Sequence, residues 1–251
     1  MYSDESKNIA QFKQWIEEAP EGGVVFFGGA GVSTESGIPD FRSQDGLYNQ
    51  KYKYPPEQII SHSFFMQDTP GFYEFYCDRM LFPDAEPNAA HIALAKLEAQ
   101  GKLDCVITQN IDGLHQKAGS KTVHELHGSV LRNYCMNCHK FYDDRELVER
   151  YKQSKDMIPR CDCGGIIKPD VVLYEESLDE KVLNDSVLAI EQADVLIIAG
   201  TSLVVWPAAG LVNYFHGRHL VIINLSATSS DRRAQLCITE KVGEVLGAVV
   251  E

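Results

Sequence analysis

Ile9, Phe12, Ile16 and Ala19 recur at helical spacing on one face, and Pro20 with Gly22-Gly23 closes that segment. Short apolar runs follow at Val24–Phe27, Cys105–Thr108, Val195–Ala199 and Leu220–Ile223. A strand that is apolar at every position is buried on both faces, so these runs predict a parallel sheet covered by helices. Helical segments lie between them. Asn88 can cap a helix that runs through Gln100 and stops at Gly101, and Ser177 or Asp179 can open another through Gln192. In the second, Leu183, Val187 and Ile190 form the inward face. Pro207 suits the first turn of a helix reaching Phe215, and Val242–Val249 forms a closing helix. Strands alternating with helices predict a doubly wound α/β domain with a parallel sheet.

Two stretches break this rhythm. Residues 38–87 are rich in aromatics and prolines without a clear buried strand, and residues 131–168 hold four of the seven cysteines. Both read as insertions forming a smaller second domain. The expected division is 1–37, 88–130 and 169–251 for the large domain, and 38–87 and 131–168 for the small one. A cleft between two such parts is where ligands usually bind.

Composition limits the functions available. The chain has 251 residues, 44% hydrophobic and 24% charged, ordinary for a soluble globular protein. Acidic residues outnumber basic ones 36 to 23, a formal net charge of −13. That field argues against gripping nucleic acid or an anionic membrane, and suits a basic substrate. No apolar run approaches the ~18–20 residues needed to span a bilayer. The polar, acidic N-terminus lacks a secretory pattern, so a reducing cytoplasm is expected.

In such a compartment clustered cysteines point to metal. Cys135-x-x-Cys138 and Cys161-x-Cys163 form two short chelating pairs, and Gly164-Gly165 permits the tight turn of a knuckle. The pairing favours zinc over four unrelated buried thiols, with His139 as a minor alternative ligand. Four thiolates leave no open position for water, so such a metal is structural. Cys77, Cys105 and Cys237 read as small buried hydrophobes.

After the first strand comes Gly28-Gly29-Ala30-Gly31-Val32-Ser33-Thr34-Glu35-Ser36-Gly37. Glycines let backbone approach a pyrophosphate, and a following helix N-terminus would present N–H groups to it. Thr34 stands where a hydride-transfer fingerprint needs glycine or alanine, and no acidic strand end follows near Asn49. A dehydrogenase therefore fits poorly. Alone, the turn fits a ligand-free strand-to-helix connection equally well.

The continuation Gly37-Ile38-Pro39-Asp40-Phe41-Arg42 changes that balance, because from here the sequence resembles the sirtuin family of NAD-dependent protein deacylases. The resemblance runs from about Gly23 to the last helix. It includes Thr108-Gln109-Asn110-Ile111-Asp112, His127-Gly128, the cysteine pairs, Gly200-Thr201-Ser202-Leu203 and Asn224-Leu225-Ser226, in family order. It departs at Gly28, where threonine is common, and at the second cysteine pair, one residue short.

The resemblance implies a Rossmann-like NAD-binding domain with a small helical, zinc-ribbon domain. It also implies a reaction in which an acyl-lysine oxygen attacks the nicotinamide ribose. Nicotinamide leaves, and free lysine and O-acyl-ADP-ribose result. His127 is implied as the base, and imidazole titrates near neutrality as that role requires. Asn110 is implied as its catalytic companion, with Gln109 on the ribose, Asp112 on the nicotinamide amide and Ile111 between them. Asp40 is expected near the same pocket, with Phe41 shielding the reacting ribose carbon and Arg42 meeting phosphate or that ribose. Gly29, Ala30, Gly31, Ser33, Thr34, Gly200, Thr201, Ser202, Asn224, Leu225 and Ser226 are expected along the dinucleotide, with Val242 at its adenine end.

By the same resemblance, an acyl-lysine peptide adds as a strand between Val171, Val172 and Tyr174 on one side and Val204 and Val205 on the other. Main-chain capture of this kind binds without reading sequence. Tyr76-x-x-Arg79 has the spacing of members that remove succinyl or malonyl groups. A guanidinium and a phenol can clamp a carboxylate, but a buried arginine with none to meet is costly, which favours acetyl. Competing readings are a mono-ADP-ribosyltransferase using the same pocket and a non-catalytic zinc interaction module.

Overall fold

The computed structural model describes residues 2–43 and 46–250. Strands β1 (Val24–Gly28), β2 (Leu103–Thr108) and β3 (Val123–Glu125) precede a separate small sheet. That sheet contains β4 (Gly128–Cys135), β5 (Phe141–Tyr142) and β6 (Ile167–Val171), and β7 (Val195–Ala199), β8 (His219–Ile223) and β9 (Leu236–Ile238) return to the large one. The large sheet is parallel throughout, in the order β3-β2-β1-β7-β8-β9. Strand order reverses between β1 and β7, and the carboxyl ends of strands at such a switch point open onto a crevice.

The helices are α1 (Tyr2–Glu18), α2 (Pro56–Ile59), α3 (His62–Gln67), α4 (Thr69–Arg79), α5 (Ala89–Ala99), α6 (Leu114–Ala118), α7 (Asp144–Gln153), α8 (Glu180–Gln192) and α9 (Val242–Val249). Alternation along β1 divides the core. Val24 and Phe26 point to the cluster built by α1, α5 and α9, whereas Val25 and Phe27 point to the one under α8 and residues 208–215. Every residue of β1 and β7 is buried, as two covered faces require. Asn88 accepts from Ala90 N–H to start α5, and Asp179 from Val182 N–H to start α8, so Asp179 is the cap. Trp15 of α1 stacks on His219 with ring centroids 4.2 Å apart.

A third core lies outside the large sheet. Phe65, Phe72 and Tyr73 of α3 and α4 pack with Tyr142, Leu147 and Ile167 around the antiparallel order β5-β4-β6.

Several expectations are corrected. The glycine-rich turn leads not into an α-helix but into two 3-10 turns, Ala30–Val32 and Thr34–Ser36. Gly37 in the left-handed region (φ 81°) ends the second, and Pro39 disfavours helical backbone at Ile38. Pro207 precedes a 3-10 helix, Ala208–Tyr214, rather than opening an α-helix. Gly210 within it weakens helical preference and carries the indole of Trp206 against its Cα. Cys105 is buried, but Cys77 is only half-buried and Cys237 is exposed. Burial pushes the Cys77 thiol up to about 12. Among the described residues, no helix is long and apolar enough to cross a membrane.

Candidate active site

A cavity of about 1420 Å³ opens at the carboxyl ends of β1, β2 and β7. Its floor is a contact between two backbones. The N–H of Gly31 donates to the carbonyl of Gly200 at 2.8 Å, and a Cβ on Gly31 would lie 2.7 Å from Gly200 Cα. Only hydrogen at both positions permits this approach, and Gly200 has φ 60° besides.

Thr108 ends β2 and its Oγ1 accepts from Asn110 N–H, turning the chain so that Asn110 reaches back to the glycine turn. Asn110 Nδ2 donates to Ser33 Oγ at 3.0 Å, and Ser33 Oγ donates to Asp112 Oδ2 at 2.7 Å. The other Asp112 oxygen accepts from Leu114 N–H at the start of α6. Three side chains from two separate turns thus fix one another.

His127 stands between β3 and β4, half-buried. Its Nδ1 lies 3.0 Å from the carbonyl oxygen of Gln109. A carbonyl oxygen only accepts, so Nδ1 carries the proton of the neutral ring and Nε2 keeps its lone pair. Burial holds this imidazole below its usual range, partly offset by the Gln109 carbonyl. It is therefore neutral, oriented and able to take a proton. Gly128 beside it is as constrained as Gly31, with φ 76° and the Asp170 carbonyl where a Cβ would sit.

Gln109 also joins β2 to β7, donating through Nε2 to Thr201 Oγ1 at 2.9 Å. Thr201 N–H donates to Asn224 Oδ1 and its carbonyl accepts from Asn224 Nδ2, both at 3.0 Å. Asp40 Oδ1 accepts from the backbone N–H groups of Arg42 and Ser43, so one oxygen is engaged in shaping its own turn. The Arg42 guanidinium lies over the Tyr48 ring, 5.1 Å from its centroid.

All the expected dinucleotide residues, from Gly29 to Val242, line this cavity, as do Val171, Val172, Tyr174 and Val205. Val204 does not: it is 55% exposed and its neighbour Val205 faces inward instead. Tyr76 and Arg79 both reach the wall. Arg79, however, is not buried; its side chain is 46% exposed and pairs with Asp78 at 2.7 Å. Tyr76 is buried and stacked on Phe72, 5.6 Å between centroids.

Sequence reading missed some of the wall. The hydroxyls of Tyr48 and Tyr174 meet at 3.0 Å, tying the loop after Arg42 to the segment after β6. Glu35 Oε2 accepts from Gly243 N–H at 2.7 Å, joining the glycine turn to α9. Trp206 stands at the rim, 70% exposed.

The four cysteines come together away from this cavity. Their sulfurs all lie within 4.8 Å of one another, and the pairs Cys135–Cys163 and Cys138–Cys161 are 3.4 and 3.5 Å apart. Sulfurs bound tetrahedrally at the ~2.3 Å zinc distance sit about 3.8 Å apart, so the cluster fits zinc. His139 is outside the group. Four thiolates would complete the coordination shell of such an ion, and its binding would contribute folding free energy.

Fold and cavity together define a nucleotide-binding enzyme of the doubly wound class. The chain belongs to the Sir2 family, whose model matches residues 29–207. It is 58% identical over 245 residues to a protein of Clostridium acetobutylicum named NAD-dependent protein deacetylase, covering 96% of this chain and 98% of that one. A Clostridium tetani protein of the same name is 54% identical over 251 residues, with 99% and 98% covered. Among solved structures, a Sir2–p53 peptide–NAD+ complex superimposes with TM-score 0.83 at 39% identity, and 95% of each chain is covered. A Sir2 bound to acetylated peptide gives TM-score 0.83 at 38% identity, again with 95% of each covered.

Proposed function

We propose that the protein is an NAD-dependent protein lysine deacetylase, and that His127 is its base. The observation that carries this is the Nδ1 contact to the Gln109 carbonyl, which leaves a neutral Nε2 in the cavity at the switch point. NAD supplies an electrophilic ribose carbon, loses nicotinamide and takes the acyl group. The chain's residues do the rest. His127 Nε2 accepts a ribose hydroxyl proton. Asn110 and Asp112, held through Ser33, orient ribose and nicotinamide, while the Gly31–Gly200 contact and the Thr201–Asn224 pair carry the diphosphate path. Phe41 shields the reacting carbon and Arg42 meets the anionic end. Val242 meets adenine.

We assign the peptide as an added strand between Val171, Val172 and Tyr174 on one side and Val204 and Val205 on the other. We assign residues 1–37, 88–130 and 169–251 to the large domain and 38–87 and 131–168 to the small zinc-bearing one. Reduced thiols at the metal cluster suit a reducing cytoplasm.

Acetyl is the favoured acyl group. The expected burial of Arg79 no longer argues for it; what does is that Arg79 already has a carboxylate partner in Asp78. The deciding experiment measures nicotinamide release from NAD with acetyl-lysine and succinyl-lysine peptides. Release that depends on acetyl peptide and yields free lysine supports the reading. Higher kcat/KM on the succinyl peptide transfers the assignment to Tyr76 and Arg79. ADP-ribose bound to protein without lysine deacylation would replace the activity itself.

A further inference from the structure

The short second cysteine pair leaves Asp162 alone to turn the chain between two ligands. Its carboxylate is held at both oxygens, Oδ2 by Lys140 Nζ and Oδ1 by Arg150, each at 2.8 Å. The same two cations lie over one ring: Lys140 Nζ is 5.1 Å and the Arg150 guanidinium 4.8 Å from the centroid of Tyr142. Tyr142 is fully buried, and its hydroxyl donates to Cys161 Sγ at 3.0 Å. Arg150 also donates to the carbonyl of Arg160, the residue before Cys161. These contacts close a circuit from Cys161 through Asp162, the two cations and the phenol back to the Cys161 sulfur.

Packing alone would be met by phenylalanine at position 142. The hydroxyl changes the chemistry of one ligand. Zinc with four thiolates carries two net negative charges, and a buried donor on one sulfur draws charge away from it. Groups that orient and polarise metal ligands in this way typically alter metal affinity by about 10–100-fold. The brace reaches the inner side of the cluster, because Cys135 and Cys161 are buried while Cys138 and Cys163 are exposed.

We propose that Tyr142 is a positioning residue of the zinc centre, its hydroxyl and the Asp162–Lys140–Arg150 brace holding Cys161 in ligating position within the shortened knuckle. This rests on the cluster being a zinc site. The test uses the full chain loaded with zinc, titrated with a chromogenic chelator, and compares it with Tyr142→Phe. Affinity should fall about 10–100-fold. In the cobalt-substituted proteins the thiolate-to-cobalt charge-transfer band should shift, because one sulfur has lost its donor. Asp162→Asn keeps the phenol and releases the cations; it should weaken zinc in the same direction. Tyr142→Phe binding zinc within twofold of the parent, with an unshifted cobalt band, would overturn the proposal. If that variant does not fold, Asp162→Asn with unchanged affinity does so. A parent chain that takes up no zinc would remove the metal reading and this proposal together, whereas a parent that binds and variants that match it remove only the proposal.

Discussion

Burial sets the working range of His127, and one hydrogen bond sets its orientation. Its Nδ1 is tied to the Gln109 carbonyl and burial holds the ring below its ordinary value of 6.5, so the neutral base persists through neutral pH. As pH falls, the ring gains a proton and loses its accepting nitrogen. The acid limb of kcat/KM should therefore lie below pH 6.5, with no loss from this group above it. His127→Ala should reduce turnover about 10²–10⁴-fold while NAD affinity, measured by calorimetry, stays within about threefold. An acid limb above pH 7 would exclude this imidazole as the base. Ser33→Ala removes the hydroxyl shared by Asn110 and Asp112. Leaving the Asn110 amide without that acceptor should cost about 1–3 kcal/mol, read as a roughly 5- to 150-fold fall in kcat/KM. At this scale the sequence was readable where a residue sits within its own motif, as Asn110, Asp112 and His127 do. It was silent on Glu35 and Gly243, whose contact spans 208 positions, because nothing local to either encodes the other.

Elements were legible in proportion to how fully they are buried. β1 and β7 are covered on both faces, so apolar residues at every position announced them. β3 and β9 went unseen: each has three residues at a sheet edge, and β3 carries His124 and Glu125, both half-buried. Edge position relaxes the demand for apolar side chains, and with it the signal. The two 3-10 turns after β1 were masked by a glycine pattern that usually introduces a helix. α5 illustrates the opposite case, with a cap, a stop and buried Leu94 and Leu97 on one face. Leu94 is fully buried in the cluster of α1, α5 and α9, so Leu94→Ala should destabilise the chain by about 2–5 kcal/mol. The denaturation midpoint should fall with an unchanged slope, and a midpoint within error of the parent would contradict the packing.

Across the whole molecule, acid should be more damaging than alkali. His91 and His115 lie with rings 4.6 Å apart, both buried, between α5 and α6. Burial lowers both, His115 to about 3, whereas the unfolded chain binds their protons near 6.5. Their contribution is complete above pH 6.5 and is lost as pH falls from 6.5 toward 3, by an amount on the order of a few kcal/mol. Urea midpoints measured from pH 7 down to 4 should therefore decline, and His115→Phe should flatten that decline. An unchanged slope in the variant would assign it elsewhere. The net charge of −13 suits lysine-bearing partners at long range.

The chain has two tryptophans, and they sit in opposite circumstances. Trp15 is stacked on His219 and does not line the cavity, while Trp206 stands 70% exposed at the cavity rim with Gly210 beneath its ring. Replacing Trp15 with phenylalanine would leave one indole whose emission answers to the water at the cavity mouth. Filling that mouth would shift the emission toward the blue, giving unmodified ligands an optical titration with no attached dye.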